Sequence, residues 1–236
     1  AFSRETVKRL VNVLHEHRDE VVIDLHSANQ FNVRDGFTNS AMLYMEHFPF
    51  ISRLWFGEYF EYDLDEDYWL TEVSGLPFGL MGEMLQDGGH PYRGMLYGMT
   101  ARMYGNVDPR PVWGMMNDFG IDQSRMLGYW LGENPVKTDH PRILATTYVR
   151  DDAVLIALAS WSETDEMVAL QLDWEDLGIE WLGGGMAADA PARPLRFLAP
   201  EVEGLQGELV VDPAAVPVPA NTGLFIVVTT TPSTGP

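Results

Sequence analysis

The chain has 236 residues and 46% hydrophobic content, enough for a substantial core in one large domain or two ordinary ones. Its 35 acids against 15 bases give a formal charge of −20, shared equally by residues 1–140 and 141–236. A field of that sign disfavours nucleic acid and membrane surfaces as partners and leaves neutral ligands such as sugars. There is no cysteine, hence no disulfide framework or thiolate chemistry, and no apolar run approaches the roughly 18 residues that cross a bilayer.

Val7, Leu10, Val11 and Leu14 follow the i, i+3, i+4, i+7 pattern of an amphipathic helix, with Ser3 available as its cap and His15, His17 and Arg18 suiting its negative end. The sequence opens at Ala1 directly on this helix, so an upstream part is expected, which could have held an export signal; the compartment stays open. Val21-Val22-Ile23 then runs into Asp24, Leu25, His26 and Ser27, an apolar run that ends in an acid, an imidazole and a hydroxyl. Buried parallel strands read this way, and βα-barrel enzymes keep their chemistry at such carboxyl ends. Period two puts Val22, Asp24 and His26 on one face. The polar stretch from Ala28 to Asn32 leaves the strand where a βα loop would meet ligand.

A helix is expected from Thr38 to Phe50, followed by a second copy of the acid-ended strand, Arg53 to Tyr59, with Leu54, Phe56 and Glu58 on one face. Pro77 to Glu83 reads as a third. Three such strands predict a carboxylate-lined cleft. Between Glu58 and Glu72, acids alternate with Tyr59, Phe60, Tyr62, Tyr68 and Trp69. That mixture could grip a sugar by ring stacking and hydroxyl hydrogen bonds, or could simply be a solvated loop. Asp63, Asp65 and Asp67 also alternate as in a calcium loop, but the Gly of that loop is absent and Ser74 stands where its last Glu belongs.

Gln86 to Pro91 is a turn that presents polar side chains near the same strand ends. Helices are expected over Arg93–Met103 and Pro111–Phe119, with Gly120 at the stop; Met95, Met99, Met103, Met115 and Met116 read as core filler, and no cofactor or metal is assigned. From Asn134 to Pro141 the character changes to short strands at 143–150, 153–161, 166–174, 195–198, 208–211 and 223–229, an antiparallel sandwich pattern. Gly183-Gly184-Gly185 reads as a loop and Pro232 to Pro236 as a frayed tail. Phosphate-binding loops, the serine elbow and the HExxH zinc motif are all missing.

The stretches Ile23 to Asn32, Leu54 to Phe60 and Gly79 to Asp87, with Val154 to Trp161, Leu170 to Gly178 and Val218 to Leu224 further on, resemble bacterial glycosidase-type proteins related to glycoside hydrolase family 123. The resemblance implies a (β/α)8 catalytic domain that acts on glycosides and carries an appended β-sandwich. It also implies an adjacent Asp-Glu pair at a strand end, which protonates the leaving oxygen while the substrate's acetamido group attacks. Asp65-Glu66 has that spelling but lies in a loop-like run, and Asp19-Glu20 precedes its strand. The principal pair is therefore expected upstream of Ala1.

The expected architecture is α/β: the carboxyl-terminal part of a TIM-type barrel over residues 1–138, then an all-β antiparallel sandwich over 139–236. Expected alone, such a part would be partly aggregated or oligomeric with a trace of activity. Glycosidic hydrolysis uses two carboxyls about 5 to 9.5 Å apart. Glu58 is the candidate acid, raised in pKa if Trp55, Phe56 and Tyr59 enclose it, and Asp24 the candidate anion that orients sugar or water. His26, Asn29, Trp55, Glu83 and Asp87 would form the substrate rim. The alternative function is carbohydrate binding or scaffolding without catalysis.

Overall fold

Residues 2–26, 45–55, 62–82, 84–85, 89–103, 108–174 and 194–230 are described in a computed structural model. The chain forms two compact units, one of Ala1–Gly89 with Ala101–Val107 and one of His90–Thr100 with Asp108–Pro236. The second unit takes in two helices and two strands that precede residue 139.

In the first unit, helix α1 (Phe2–His17) is longer than its apolar stripe. Ser3 lies inside it and does not cap it; its Oγ is 2.8 Å from His47 Nε2, a side chain that is almost fully buried. Of the expected apolar stripe, Val7, Val11 and Leu14 are half-buried, but Leu10 is exposed. Strand β1 (Asp24–His26) follows, then a single 3-10 turn at Phe48–Phe50, which takes the end of the helix expected there; residues 27–44 lie outside the described set.

Strands β2 (Arg53–Trp55) and β3 (Met81–Gly82) complete a sheet in the order β1-β2-β3, parallel throughout. The third acid-ended strand is shorter than expected because Leu76–Phe78 forms a 3-10 turn. Pro77, with its fixed φ and no N–H, suits a first helical turn and cannot donate to a strand ladder. Ile51 and Leu80 form a small core with Val7, Ile23, Leu25, Phe48 and Phe78 packed against it, so one side of the sheet is apolar and helix-facing.

The second unit begins with helix α2 (Pro91–Leu96), capped by His90, whose Nδ1 accepts the Arg93 N–H at 3.1 Å. The expected helix to Met103 stops early because Gly98, at φ +74°, takes the left-handed conformation that ends a helix. Helix α3 (Arg110–Phe119) starts one residue before its expected start and ends where expected, with Pro111 in the first turn and Gly120 closing it.

A six-stranded antiparallel sheet dominates. Its members are β4 (Arg125–Leu127), β6 (Ile143–Val149), β7 (Val154–Ser160), β10 (Leu195–Ala199), β11 (Leu209–Val210) and β13 (Gly223–Thr230), in the order β11-β10-β13-β7-β6-β4. Two ribbons accompany it: β5 (Val136–Thr138) with β9 (Leu170–Leu172), and β8 (Glu166–Val168) with β12 (Val216–Val218). The expected strand 166–174 is thus split in two, each half with its own partner.

Ile143, Ile156, Leu158, Ile226 and Val228 from the sheet share one buried cluster with Val136, Val168, Leu170, Val216 and Val218 from the ribbons. The other side of the sheet receives α2: Tyr148 Oη donates to Met95 O at 2.5 Å and Thr146 Oγ1 to Leu96 O at 2.9 Å. Every residue of β7 is buried, which is why it is apolar without alternation.

Two tyrosines near α2 make this unit sensitive to alkali. Tyr92 donates to Leu205 O at 3.0 Å, and burial pushes its phenol from an ordinary 10.0 up to about 12; burial pushes Tyr148 up as well. A folded-state pKa above the unfolded one contributes stability that is complete below about pH 10 and is lost as the pH rises toward 12. Ellipticity and the last phenolate absorbance are therefore expected to change together in that window; ionisation of all nine tyrosines at the ordinary pKa with the fold intact would contradict this.

Candidate functional site

Among the described residues, one side of the parallel sheet is packed and the other carries solvent-accessible side chains. Ile23 and Leu25 join the helix-side cluster, while the alternate residues Val22, 68% exposed, and Asp24 turn the other way. Asp24 is registered opposite Arg53, and Arg53 opposite Met81, which is itself exposed. A row of solvent-accessible residues thus crosses the three strands, charged on β1 and β2 and apolar on β3.

Arg53 reaches this side through a local break in alternation. Ser52 and Arg53 both donate their N–H groups to Ile23 O, at 2.9 and 3.1 Å, a two-against-one pattern like that of a bulge. Ile51 therefore stays in the apolar cluster while Arg53 turns to Asp24. The guanidinium grips the carboxylate as a fork, Nε to Oδ1 at 2.5 Å and Nη2 to Oδ2 at 2.6 Å. Both side chains keep solvent access, 42% for Arg53 and 39% for Asp24.

His26 and Trp55 are the last residues of β1 and β2 and are registered to one another, at the carboxyl ends where the sequence placed the substrate rim. Glu58, Asn29, Glu83 and Asp87 lie outside the described residues. The structure therefore places Asp24 with Arg53, which sequence reasoning had not singled out; nothing in spacing alone announces a cross-strand fork.

The acid-rich segment resolves partly into local structure. Asp65 caps a single helical turn, Glu66–Tyr68, by accepting the Tyr68 N–H at 2.9 Å. The chain continues into a π-helical turn, Trp69–Val73, where Trp69 is fully buried and donates Nε1–H to Tyr62 O at 3.2 Å, and where Glu72 is buried too. Capping explains Asp65 in the Asp63-Asp65-Asp67 alternation, and among the described residues no three His, Asp or Glu side chains converge as an ion cage. No helix among them is long and apolar enough to cross a membrane.

The second unit carries a separate open groove of about 1070 Å³ beside α3. Met115, Phe119 and Val227 line it with Asp118, Arg150 and Glu201.

Parallel strands with a helix packed on one side of their sheet are the building units of α/β domains. Residues 1–104 match the TIM-barrel domain of glycoside hydrolase 123, and residues 108–229 match the C-terminal domain of the same family. The chain belongs to glycoside hydrolase family 123. Among solved structures it is similar to a GH30 endoxylanase from Clostridium papyrosolvens C71, at 8% identity and a TM-score of 0.38, covering 96% of this chain. The chain spans 61% of the length of that structure. No curated protein matches it.

Proposed function

We propose that the chain acts in hydrolysis of an O-glycosidic bond, with carbohydrate bound at the carboxyl ends of β1 and β2. The observation that carries this reading is Asp24, a solvent-accessible carboxylate held on the open side of the sheet in a domain matched to a glycosidase barrel. In this reading Asp24 is the anion that orients sugar or water, Glu58 is the proton donor to the leaving oxygen, and His26, Asn29, Trp55, Glu83 and Asp87 surround the substrate. The antiparallel unit is the appended sandwich, and the parallel sheet is part of a (β/α)8 barrel.

A panel of aryl glycosides tests it. Release of the aryl group is expected from at least one sugar, and Glu58→Gln is expected to lose activity on poor leaving groups while keeping it on those that depart without a proton. Equal loss on both kinds would remove Glu58 from the acid role. The second reading, binding without turnover, is favoured by the engagement of both Asp24 oxygens by Arg53. It expects sugar-dependent shifts in resonance or fluorescence with no aryl release from any glycoside.

A further inference from the structure

We propose that Asp24 and Arg53 together form a charge-neutral clamp for the hydroxyl groups of an uncharged sugar, with Arg53 as a substrate-binding and specificity-determining residue. The inference rests on the glycoside hydrolase reading and goes beyond it in naming Arg53 and the class of sugar.

An exposed ion pair contributes little to stability, because solvent screens it and two long side chains must be held still. In this structure the fork is short, at 2.5 and 2.6 Å, and both side chains keep solvent access. The backbone is also arranged around it. Ser52 and Arg53 share the Ile23 carbonyl, which turns Arg53 onto the Asp24 side, and the parallel register sets the two residues directly opposite. The pair stands two residues before the strand ends, on the side away from α1.

The chemistry of the pair selects its ligand. A guanidinium only donates hydrogen bonds and a carboxylate only accepts them, whereas a sugar hydroxyl does both. Adjacent hydroxyls therefore complement a donor beside an acceptor, and charge-assisted bonds of this kind are stronger than neutral ones. The fork is planar, so it also fixes the direction of approach. Its net charge is zero inside a molecule of formal charge −20, so the pair itself offers a uronate or sulfated sugar no net positive charge.

The test compares the wild type with Arg53→Met, Arg53→Lys and Asp24→Asn on neutral aryl glycosides and the matching uronides, with a titration of free neutral monosaccharide followed by NMR. KM and the sugar dissociation constant are expected to rise about tenfold or more in Arg53→Met and in Asp24→Asn, the loss of one or two hydrogen bonds. In Arg53→Met the kcat pH profile is expected to keep its shape, Arg53→Lys to fall between, and uronides to be poor wild-type substrates. Unchanged KM in a folded Arg53→Met, a wild type that prefers uronides, or a lost limb of the pH profile in Arg53→Met would overturn the clamp and leave the hydrolase reading standing. Neither turnover nor sugar binding by the wild type would overturn both. Thermal melting verifies folding, and if Arg53→Met does not fold, Arg53→Lys and its titration decide in its place.

Discussion

Arg93→Met is expected to cost about 4 kcal/mol of unfolding free energy, read as an earlier midpoint in a urea melt at unchanged slope. The Arg93 side chain is 2% exposed, and its guanidinium ties three segments of the second unit together. From α2, Nε and Nη2 donate to the Ser160 carbonyl at the end of β7, at 3.3 and 3.0 Å, and Nη2 donates to Asn221 Oδ1 in the turn before β13 at 3.3 Å. The cation lies 4.6 Å from the centre of the Trp161 ring. Ser160 gives its own N–H to Thr222 O at 2.8 Å, so its carbonyl faces the same side, where the guanidinium meets it.

A buried acceptor left without its donor costs about 1–3 kcal/mol, and a desolvated cation–π contact contributes about 2. Methionine keeps the aliphatic stem in place, so the loss reports the polar contacts and not a cavity. A change below about 1 kcal/mol would show that the cost of desolvating the cation cancels what its contacts supply.

Gly223→Ala is expected to destabilise the unit by about 3 kcal/mol, lowering the melting temperature by several degrees. A Cβ on Gly223 would stand 2.0 Å from the Leu158 carbonyl oxygen and 2.6 Å from Tyr92 Cβ. Neither neighbour can yield easily. Leu158 sits in the middle of the sheet, registered to Leu224, and Tyr92 is held by its bond to Leu205 O and by the Phe225 ring at 4.8 Å. Trimming Tyr92 to Leu should not rescue the variant, since the shortest contact is with backbone; rescue would place the strain in the tyrosine.

Sequence patterning carried far where burial is one-sided or complete. The run Val154–Ser160 is apolar because both of its faces are covered, and α3 has its Pro and Gly at the two ends. It carried less far where a few residues of backbone decide. Gly98 ended a helix whose apolar composition continued to Met103, and β12 hid behind Pro217, which sits in a two-stranded ribbon.

The candidate site divides in the same way. Asp24 stood out because an acid after a β-branched run is conspicuous. Arg53 did not, since its role depends on the register of β1 against β2 and on the shared Ile23 carbonyl, and neither register nor a bulge leaves a mark in residue spacing.

Strand order also governs when the fold can come into being. β13, formed by residues 223–230, is not an edge strand: it lies between β10 and β7, and its partner β7 ends at Ser160. During synthesis β7 must therefore wait, with one hydrogen-bonding edge open, until nearly the whole unit has emerged. Pairings that distant in sequence form slowly because loop closure precedes any reward. The interval between the emergence of β7 and the arrival of β13 is the period in which this unit is most exposed to mispairing with other chains.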